Sequence, residues 1–281
     1  MAVRSKPLNF VKYHALGNDM ILFDAVAKPG VNMSNRMAKK LCNRRLGIGG
    51  DQILILSKFR KKEADFRMQI FNADGSESEM CGNGIRCVGA HIRQKKYSVK
   101  KDFAIETLAG LRNVHVQSKG IEADLGEPIL KGKDIPVNLS GRIINRPLKI
   151  DAKDFRITCL SLGNPHCVIF VENIDTFDVK RFGPLLENYH LFPRRVNVSF
   201  VNILSREQLR MRVWERGAGE TMACGTGAAA ALVASVLNGF TERAAKVELP
   251  GGTLEVEWNR ATNSVSIRGP VEQVFEGTIA L

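Results

Sequence analysis

The sequence predicts an α+β fold built from two homologous domains related by a pseudo-twofold axis. Each domain is a mixed sheet wrapped around a central buried helix, and the active site lies in the interdomain cleft. Three observations predict this. First, Met68-Gln-Ile-Phe-Asn-Ala-Asp-Gly-Ser-Glu-Ser-Glu-Met-Cys81-Gly-Asn-Gly84 aligns without a gap on Met211-Arg-Val-Trp-Glu-Arg-Gly-Ala-Gly-Glu-Thr-Met-Ala-Cys224-Gly-Thr-Gly227, 143 residues further on. A repeat of half a chain is far longer than a solenoid unit and reads as domain duplication. Second, Leu16-Gly17-Asn18 recurs as Leu162-Gly163-Asn164, 146 residues on. Third, in each half a cysteine-glycine turn feeds a helix, and the second of these helices is nearly all apolar, hence buried on all sides.

The elements follow in order. Phe10-Val11 and Met20-Ile-Leu-Phe23 are strand-like around the first Leu-Gly-Asn turn. Residues 85–94 form a helix, and Val114-His-Val116 with Ile121-Glu-Ala-Asp-Leu125 forms a hairpin. Residues 124–128 read as the interdomain connection. The second half repeats the plan: a strand at Val168-Ile-Phe-Val171, a helix over 227–237 stopped by Asn238-Gly239, and a hairpin at Leu254-Glu-Val256 with Val265-Ser-Ile267. The final stretch, 271–281, lies beyond the second repeat and is free to return to the first domain. The expected domains are therefore 1–126 plus 271–281, and 127–270. Clefts between domains are favoured places for small-molecule sites, and a pseudo-twofold brings Cys81 and Cys224 to facing surfaces.

Composition narrows the function classes. In 281 residues, 44% are hydrophobic and 25% charged, the balance of a globular protein. No run approaches roughly 18 consecutive apolar residues, so no membrane span is expected. The first ten residues lack an apolar segment behind their basic residues, so a secretory signal is not expected and the location expected is cytoplasmic. The net charge is +12, but it is scattered, with short basic runs only at 58–62, 93–101 and 194–195. No RNA-recognition, zinc-finger or helix-turn-helix signature accompanies it, so a basic solvated surface is expected and nucleic acid is not. The six cysteines, Cys42, Cys81, Cys87, Cys159, Cys167 and Cys224, include no C-x-x-C pair. Reduced thiols, no zinc-ribbon spacing and no metal are expected.

Four of these cysteines read as small buried hydrophobes. Cys81 and Cys224 do not. Each precedes Gly-Asn-Gly or Gly-Thr-Gly and a helix. A cysteine at a helix start has its thiolate stabilised by N–H groups and the helix dipole, which lowers its pKa from about 8.5. The glycines let a ligand approach the backbone, and the same N–H groups hold a carboxylate. Two such sites suit the inversion of a stereocentre: one sulfur removes a Cα proton, the other returns one to the opposite face, and the helix ends hold the charge that develops on the α-carboxylate. No pyridoxal-lysine, flavin or Walker motif is visible, so no cofactor is expected. Three other readings stay open. Gly47-Ile-Gly-Gly50 and Gly217-Ala-Gly219 are weak as nucleotide loops. A cysteine-nucleophile hydrolase would pair one cysteine with a histidine such as His166 but leaves the second cysteine idle. A disulfide or metal-binding scaffold explains the cysteines but not the glycines.

These residues resemble the diaminopimelate epimerase family over essentially the whole chain. The motifs are Phe10-Val-Lys-Tyr-His-Ala-Leu-Gly-Asn-Asp19, Gly47-Ile-Gly-Gly-Asp-Gln52, Phe71-Asn-Ala-Asp-Gly-Ser76, Met80-Cys-Gly-Asn-Gly-Ile-Arg-Cys87, Gly163-Asn-Pro-His166, Arg195-Val-Asn-Val198, Glu215-Arg-Gly-Ala-Gly-Glu-Thr221 and Ala223-Cys-Gly-Thr-Gly227. The resemblance implies a pyridoxal-independent isomerase that interconverts LL-2,6-diaminopimelate and meso-diaminopimelate in lysine and peptidoglycan precursor synthesis. It implies a small-molecule substrate and a homodimer. Cys81 and Cys224 match the two acid/base residues, and Gly82, Asn83, Gly225 and Thr226 match the cradle of the α-carboxylate. Asn18, Gln52, Asn72, Asn164 and Asn197 match polar substrate contacts. Glu215 and Arg216 match the recognition of the far end of the substrate, where an arginine can grip a carboxylate bidentately. His166 and Glu215 match residues beside the cysteines that help set their protonation. Simpler readings accompany several of these: Asn18, Asn72 and Asn164 as turn residues, Gln52 as part of a glycine turn, Glu215 and Arg216 as a surface ion pair, and His166 as a structural histidine. A racemase of another amino acid on the same fold is the alternative function.

Overall fold

A computed structural model describes residues 7–59, 63–117 and 120–280. The first six residues of the N-terminal stretch, residues 60–62 of one basic run and residue 281 lie outside the described residues. The first half runs β1 (Leu8–Ala15), β2 (Asn18–Asp24), α1 (Asn35–Cys42), β3 (Gln52–Lys58), β4 (Phe66–Asn72) and α2 (Gly82–Gln94). It continues through β5 (Asp102–Thr107), β6 (Gly110–Gln117) and β7 (Gly120–Asp124). The second half runs β8 (Ile143–Ile150), β9 (Lys153–Ser161), β10 (Pro165–Phe170), α3 (Val179–Glu187), β11 (Asn197–Ser205), β12 (Gln208–Glu215) and β13 (Gly219–Thr221). Then come α4 (Gly225–Leu237), β14 (Ala244–Leu249), β15 (Gly252–Trp258), β16 (Val265–Gly269) and a last strand, β17 (Glu272–Ile279).

The chain forms two compact units, residues 1–123 with 270–281, and residues 124–269. In the first, the strands pair in the order β17-β1-β2-β3-β4-β5-β6-β7. The β2–β3 and β4–β5 pairs are parallel and the rest antiparallel. In the second, the order is β8-β9-β10-β11-β12-β14-β15-β16, with β10–β11 and β12–β14 parallel. The two patterns coincide strand for strand, with the short β13 added on β12. The one difference of connection is at the edge: β8 directly precedes β9, whereas its counterpart β17 comes from the far end of the chain.

Local sequence sets the geometry around the central helices. β1 and β2 are joined by the two-residue loop Leu16-Gly17, with both residues at positive φ, 56° and 82°. This is the twist a tight hairpin requires, and glycine adopts it without a side-chain clash. It delivers Asn18 as the first residue of β2. The helices begin earlier than the sequence predicts, at Gly82 and Gly225 rather than at 85 and 227, because the cysteines themselves are the N-caps. Every residue from Gly225 to Ser235 is buried, and α4 packs on β9, β10, β11, β12, β14, β15 and β16. Burying a side chain such as Leu232 or Val233 is worth roughly 1.5–3 kcal/mol. α2 is buried from Gly82 to Gly89 and packs on β1, β2, β3 and β6. Each sheet thus curls round one helix whose N-terminus carries a cysteine. Apolar clusters beside α1 and α3 extend each core outward. Among the described residues no helix is long and apolar enough to cross a membrane.

Candidate active site

In the first unit, Cys81 caps α2, and its sulfur accepts a hydrogen bond from Gly84 N at 3.2 Å. A Cβ on Gly84 would lie 3.4 Å from that sulfur, so glycine keeps the first turn clear for it. Asn83, in the same turn, donates to Asn18 Oδ1 at 3.1 Å, and Asn18 Nδ2 donates to Asp51 at 2.9 Å. Asp51 in turn shares Arg44 with Asp19. Gln52 donates to Asn72 Oδ1 at 2.9 Å, and Asn72 donates to Ser76 Oγ at 3.1 Å. Gln52 Oε1 is buried without a hydrogen bond. The structure therefore brings Asn18, Asn83 and Cys81 onto one hydrogen-bonded turn, with Gln52 and Asn72 at the adjoining ends of β3 and β4.

The second unit repeats the arrangement with altered chemistry. Cys224 caps α4, and Thr226 Oγ1 lies 3.6 Å from its sulfur. Asn164 Nδ2 donates to Thr226 Oγ1 at 3.2 Å, the counterpart of the Asn18–Asn83 bond. Asn197 Nδ2 donates to Pro165 O at 3.0 Å and accepts from Arg216 N at 2.9 Å, tying the β11 start to the turn after β12. Glu215 ends β12, as Asn72 ends β4. Its carboxylate accepts from Thr221 Oγ1 at 2.5 Å and hydrogen-bonds the Cys224 sulfur. The Arg216 guanidinium donates to the Arg194 carbonyl at 3.4 Å. Gly82 and Gly225 sit in first turns, where a helix leaves N–H groups without acceptors of its own.

The electrostatics correct one expectation. A helix start is expected to lower the pKa of its cysteine, yet Cys224 is driven well above the usual thiol range. Burial is the main cause, and the Glu215 carboxylate adds to it; the bonds from Thr226 and Gly227 pull the other way without prevailing. In a site this enclosed, desolvation outweighs the helix dipole. His166 is fully buried and pushed down to about 3, first by burial and then by the Arg216 charge. Since Asn164 gives its Nδ2 to Thr226, its Oδ1 accepts from His166 Nε2 at 2.9 Å. His166 is therefore the neutral Nε2–H tautomer, and its Nδ1 is buried without a partner.

Several residues of the site escape a reading of the motifs. Asp51, between two glycines and Gln52, is the acceptor for Asn18. Thr221 holds Glu215. Ser199 on β11 points at Gly227, with its hydroxyl buried and unpartnered, where the first unit has Leu54 against Gly84. Arg86 is fully buried and donates to Asn83 Oδ1 at 2.6 Å. All except Ser199 stand inside the quoted motifs, so the signal was a charged or hydroxyl side chain within a glycine-rich stretch. Among the described residues, no group of three or more His, Cys, Asp or Glu side chains comes together as a metal site.

Solved structures share this fold. A solved hydroxyproline epimerase from Agrobacterium vitis, with bound trans-4-hydroxy-L-proline, matches with a TM-score of 0.74 at 13% identity, covering 99% of this chain and 94% of that one. A probable proline racemase from Agrobacterium radiobacter K84 matches at 0.73 and 14% identity, covering 98% and 93%. The chain shares the fold of these solved structures, here with one cysteine-capped helix in each half. Closer relatives narrow the class. A diaminopimelate epimerase from Acetivibrio thermocellus is 47% identical over 98% of this chain and 99% of its own, and one from Desulfitobacterium hafniense is 45% identical over 97% and 98%. The diaminopimelate epimerase family profile matches residues 10–131 and 158–274. The chain belongs to the diaminopimelate epimerase family and is an isomerase.

Proposed function

We propose that the chain interconverts LL-2,6-diaminopimelate and meso-diaminopimelate without a cofactor, by moving one Cα proton between Cys81 and Cys224. The observation that carries this reading is the duplicated thiol: each unit ends a Cys-Gly turn on a helix N-terminus, and a matched side-chain bond, Asn18–Asn83 or Asn164–Thr226, fixes each turn. The thiolate of one cysteine takes the Cα proton, and the thiol of the other delivers a proton to the opposite face. Each turnover exchanges the two protonation states. The electron pair left at Cα spreads onto the α-carboxylate, held by the first-turn amides at Gly82, Asn83, Gly225 and Thr226. Burial and Glu215 favour the neutral thiol of Cys224, which suits a proton donor. Arg216 and Glu215, at the turn after β12, are assigned to the polar far end of the substrate, with Glu215 also at the sulfur. Gln52, Asn72 and Asn197 are assigned to its amino and carboxylate groups, and His166 to holding Asn164. The reading extends to a cytoplasmic homodimer serving lysine and peptidoglycan precursor synthesis.

Solvent-deuterium incorporation at Cα of LL-diaminopimelate, measured against a panel of other amino acids, tests the reading. Cys81→Ser and Cys224→Ser are each expected to slow epimerisation by about 10²–10⁴ or more, since serine has no accessible anion at neutral pH. Each variant keeps one thiol and is expected to eliminate a Cβ leaving group from only one stereoisomer of a substrate analogue. One cysteine essential for both isomers, with the other nearly neutral, would refute the two-base mechanism.

A further inference from the structure

The two units differ in charge at matched positions. Asn72 and Glu215 are equivalent, as are Arg86 and Ala229, each pair 143 residues apart. At these positions the first unit therefore has a neutral amide and a cation, and the second has a carboxylate and a methyl group. Arg86 is completely buried in the second turn of α2. It donates to the Gly82 carbonyl at 3.4 Å, to Asn83 Oδ1 at 2.6 Å and to the Pro270 carbonyl at 3.3 Å. Among the described residues no carboxylate pairs with it. A buried, unpaired guanidinium is costly, and a neutral side chain of similar size would hold the same space at less cost.

We propose that Arg86 is a positioning residue that supplies a fixed positive charge beneath the Cys81 turn, making Cys81 the thiolate and Cys224 the thiol of the free enzyme. The proposal rests on the two-cysteine reading above. Burial lowers Arg86 to about 10, with Cys87 and Cys81 opposing that shift, so the guanidinium is charged at neutral pH. The other charged and titratable groups around this helix are held elsewhere. On α2, the buried Cys87 thiol is pushed up to about 12 by desolvation, and His91 bonds Asp24 of β2 and Tyr13 of β1. On β1, β2 and the α1–β3 loop, Lys12, Asp19, Arg44 and Asp51 form their own ion-pair cluster, linked to Arg86 through Asn18 and Asn83. β6 carries Arg112 and His115, the latter bonded to Asp102, and β3 carries Lys58 at the end remote from Gln52. The loop before Cys81 carries Asp74, bonded to Ser76, and Glu77 and Glu79, all exposed to screening solvent. Arg86 is thus the one buried fixed charge in the first two turns of the helix among the described residues.

The test is alkylation of the full-length protein by iodoacetamide across pH 5–10, with each cysteine's modification followed by mass spectrometry. The pH midpoint of each rate profile separates ionisation from accessibility. In the unmodified protein Cys81 is expected to have the lower midpoint. Arg86→Met is expected to raise the Cys81 midpoint by about one pH unit and leave that of Cys224 in place, with Arg86→Lys restoring most of the shift. The acid limb of kcat/KM is expected to move in the same direction. A lower midpoint at Cys224 in the unmodified protein, or an unmoved Cys81 midpoint in folded Arg86→Met, overturns the proposal; Arg86→Gln carries the same test should the methionine variant not fold. Failure of the underlying reading looks different: one of Cys81→Ser and Cys224→Ser would abolish the reaction of both stereoisomers and the other would leave it nearly unchanged, whatever the alkylation midpoints.

Discussion

His166 illustrates how a single residue is bound to its surroundings. It sits fully buried with its ring held neutral, down to about 3, by burial and by the Arg216 charge. Its folded pKa lies below its unfolded value, so the stability it contributes is complete above about pH 6.5 and is lost as the pH falls toward 3. In that window the unfolded chain binds a proton that the folded chain does not, and stability falls by up to about 1.4 kcal/mol per pH unit for this one group. Denaturant unfolding at pH 7, 6, 5 and 4 is expected to show that slope. His166→Gln, which keeps a donor toward Asn164 but does not titrate, is expected to flatten it. Equal slopes in the two proteins would mean that other groups carry the acid sensitivity. At this scale the sequence was informative about identity and poor on energetics. The cysteines, asparagines and His166 stand in recognisable motifs, but whether a thiol at a helix start is acidified or suppressed depends on how much water reaches it. Burial of Cys224 and the approach of Glu215 are properties of the packed structure, and they reversed the expected direction.

At the scale of elements, the proposed chemistry rests on the first turns of α2 and α4. A glycine three residues after each cysteine leaves room for sulfur. At Gly227 a Cβ would lie 3.2 Å from the Cys224 sulfur and 3.4 Å from Ser199 Oγ, tight enough that one of them must move. Alanine is intrinsically better than glycine in a helix by about 1 kcal/mol. Gly227→Ala is therefore expected to change the melting temperature little while lowering kcat at least tenfold, through displacement of the sulfur. Wild-type kcat in that variant would show that the turn has slack. The helices themselves were legible because an apolar run closed by Asn238-Gly239 has few alternatives. Their starts were placed two or three residues late, because cysteine is not among the usual capping residues and the glycines after it read as a loop. The equivalence of the Asn18–Asn83 and Asn164–Thr226 bonds depended on strand register, which brings residues 65 and 62 apart in sequence into contact.

At the scale of the whole chain, the sheet of the first unit is completed by its last strand. β17 pairs with β1 from Leu8 to His14, Phe275 packs edge-on to Phe10 with ring centroids 5.8 Å apart, and the Pro270 carbonyl accepts from Arg86. Removing residues 270–281 takes away that ladder and an acceptor of a buried guanidinium. The truncated chain is expected to lose activity and hydrogen-exchange protection in β1 and β2, while β10 and β11 keep theirs. Uniform loss of protection in both units would show that they do not unfold separately. The sequence suggested the return of the C-terminus only by exclusion, since those residues lie past the end of the repeat; strand pairing itself leaves no mark in a stretch so exposed.

By itself the sequence determined the duplicated plan, the two cysteine-glycine turns before the helices and the family, because these rest on local patterns: apolar periodicity, glycine at positions that need close approach, and motifs repeated at a fixed spacing. The tertiary structure decided what depends on long-range burial and register. It set the suppressed ionisation of Cys224, the neutral tautomer of His166, the link from Asn18 through Asp51 to Arg44, and the unpaired charge of Arg86 beneath Cys81. Desolvation and charge–charge distance are properties of the packed three-dimensional arrangement, and no run of neighbouring residues encodes them.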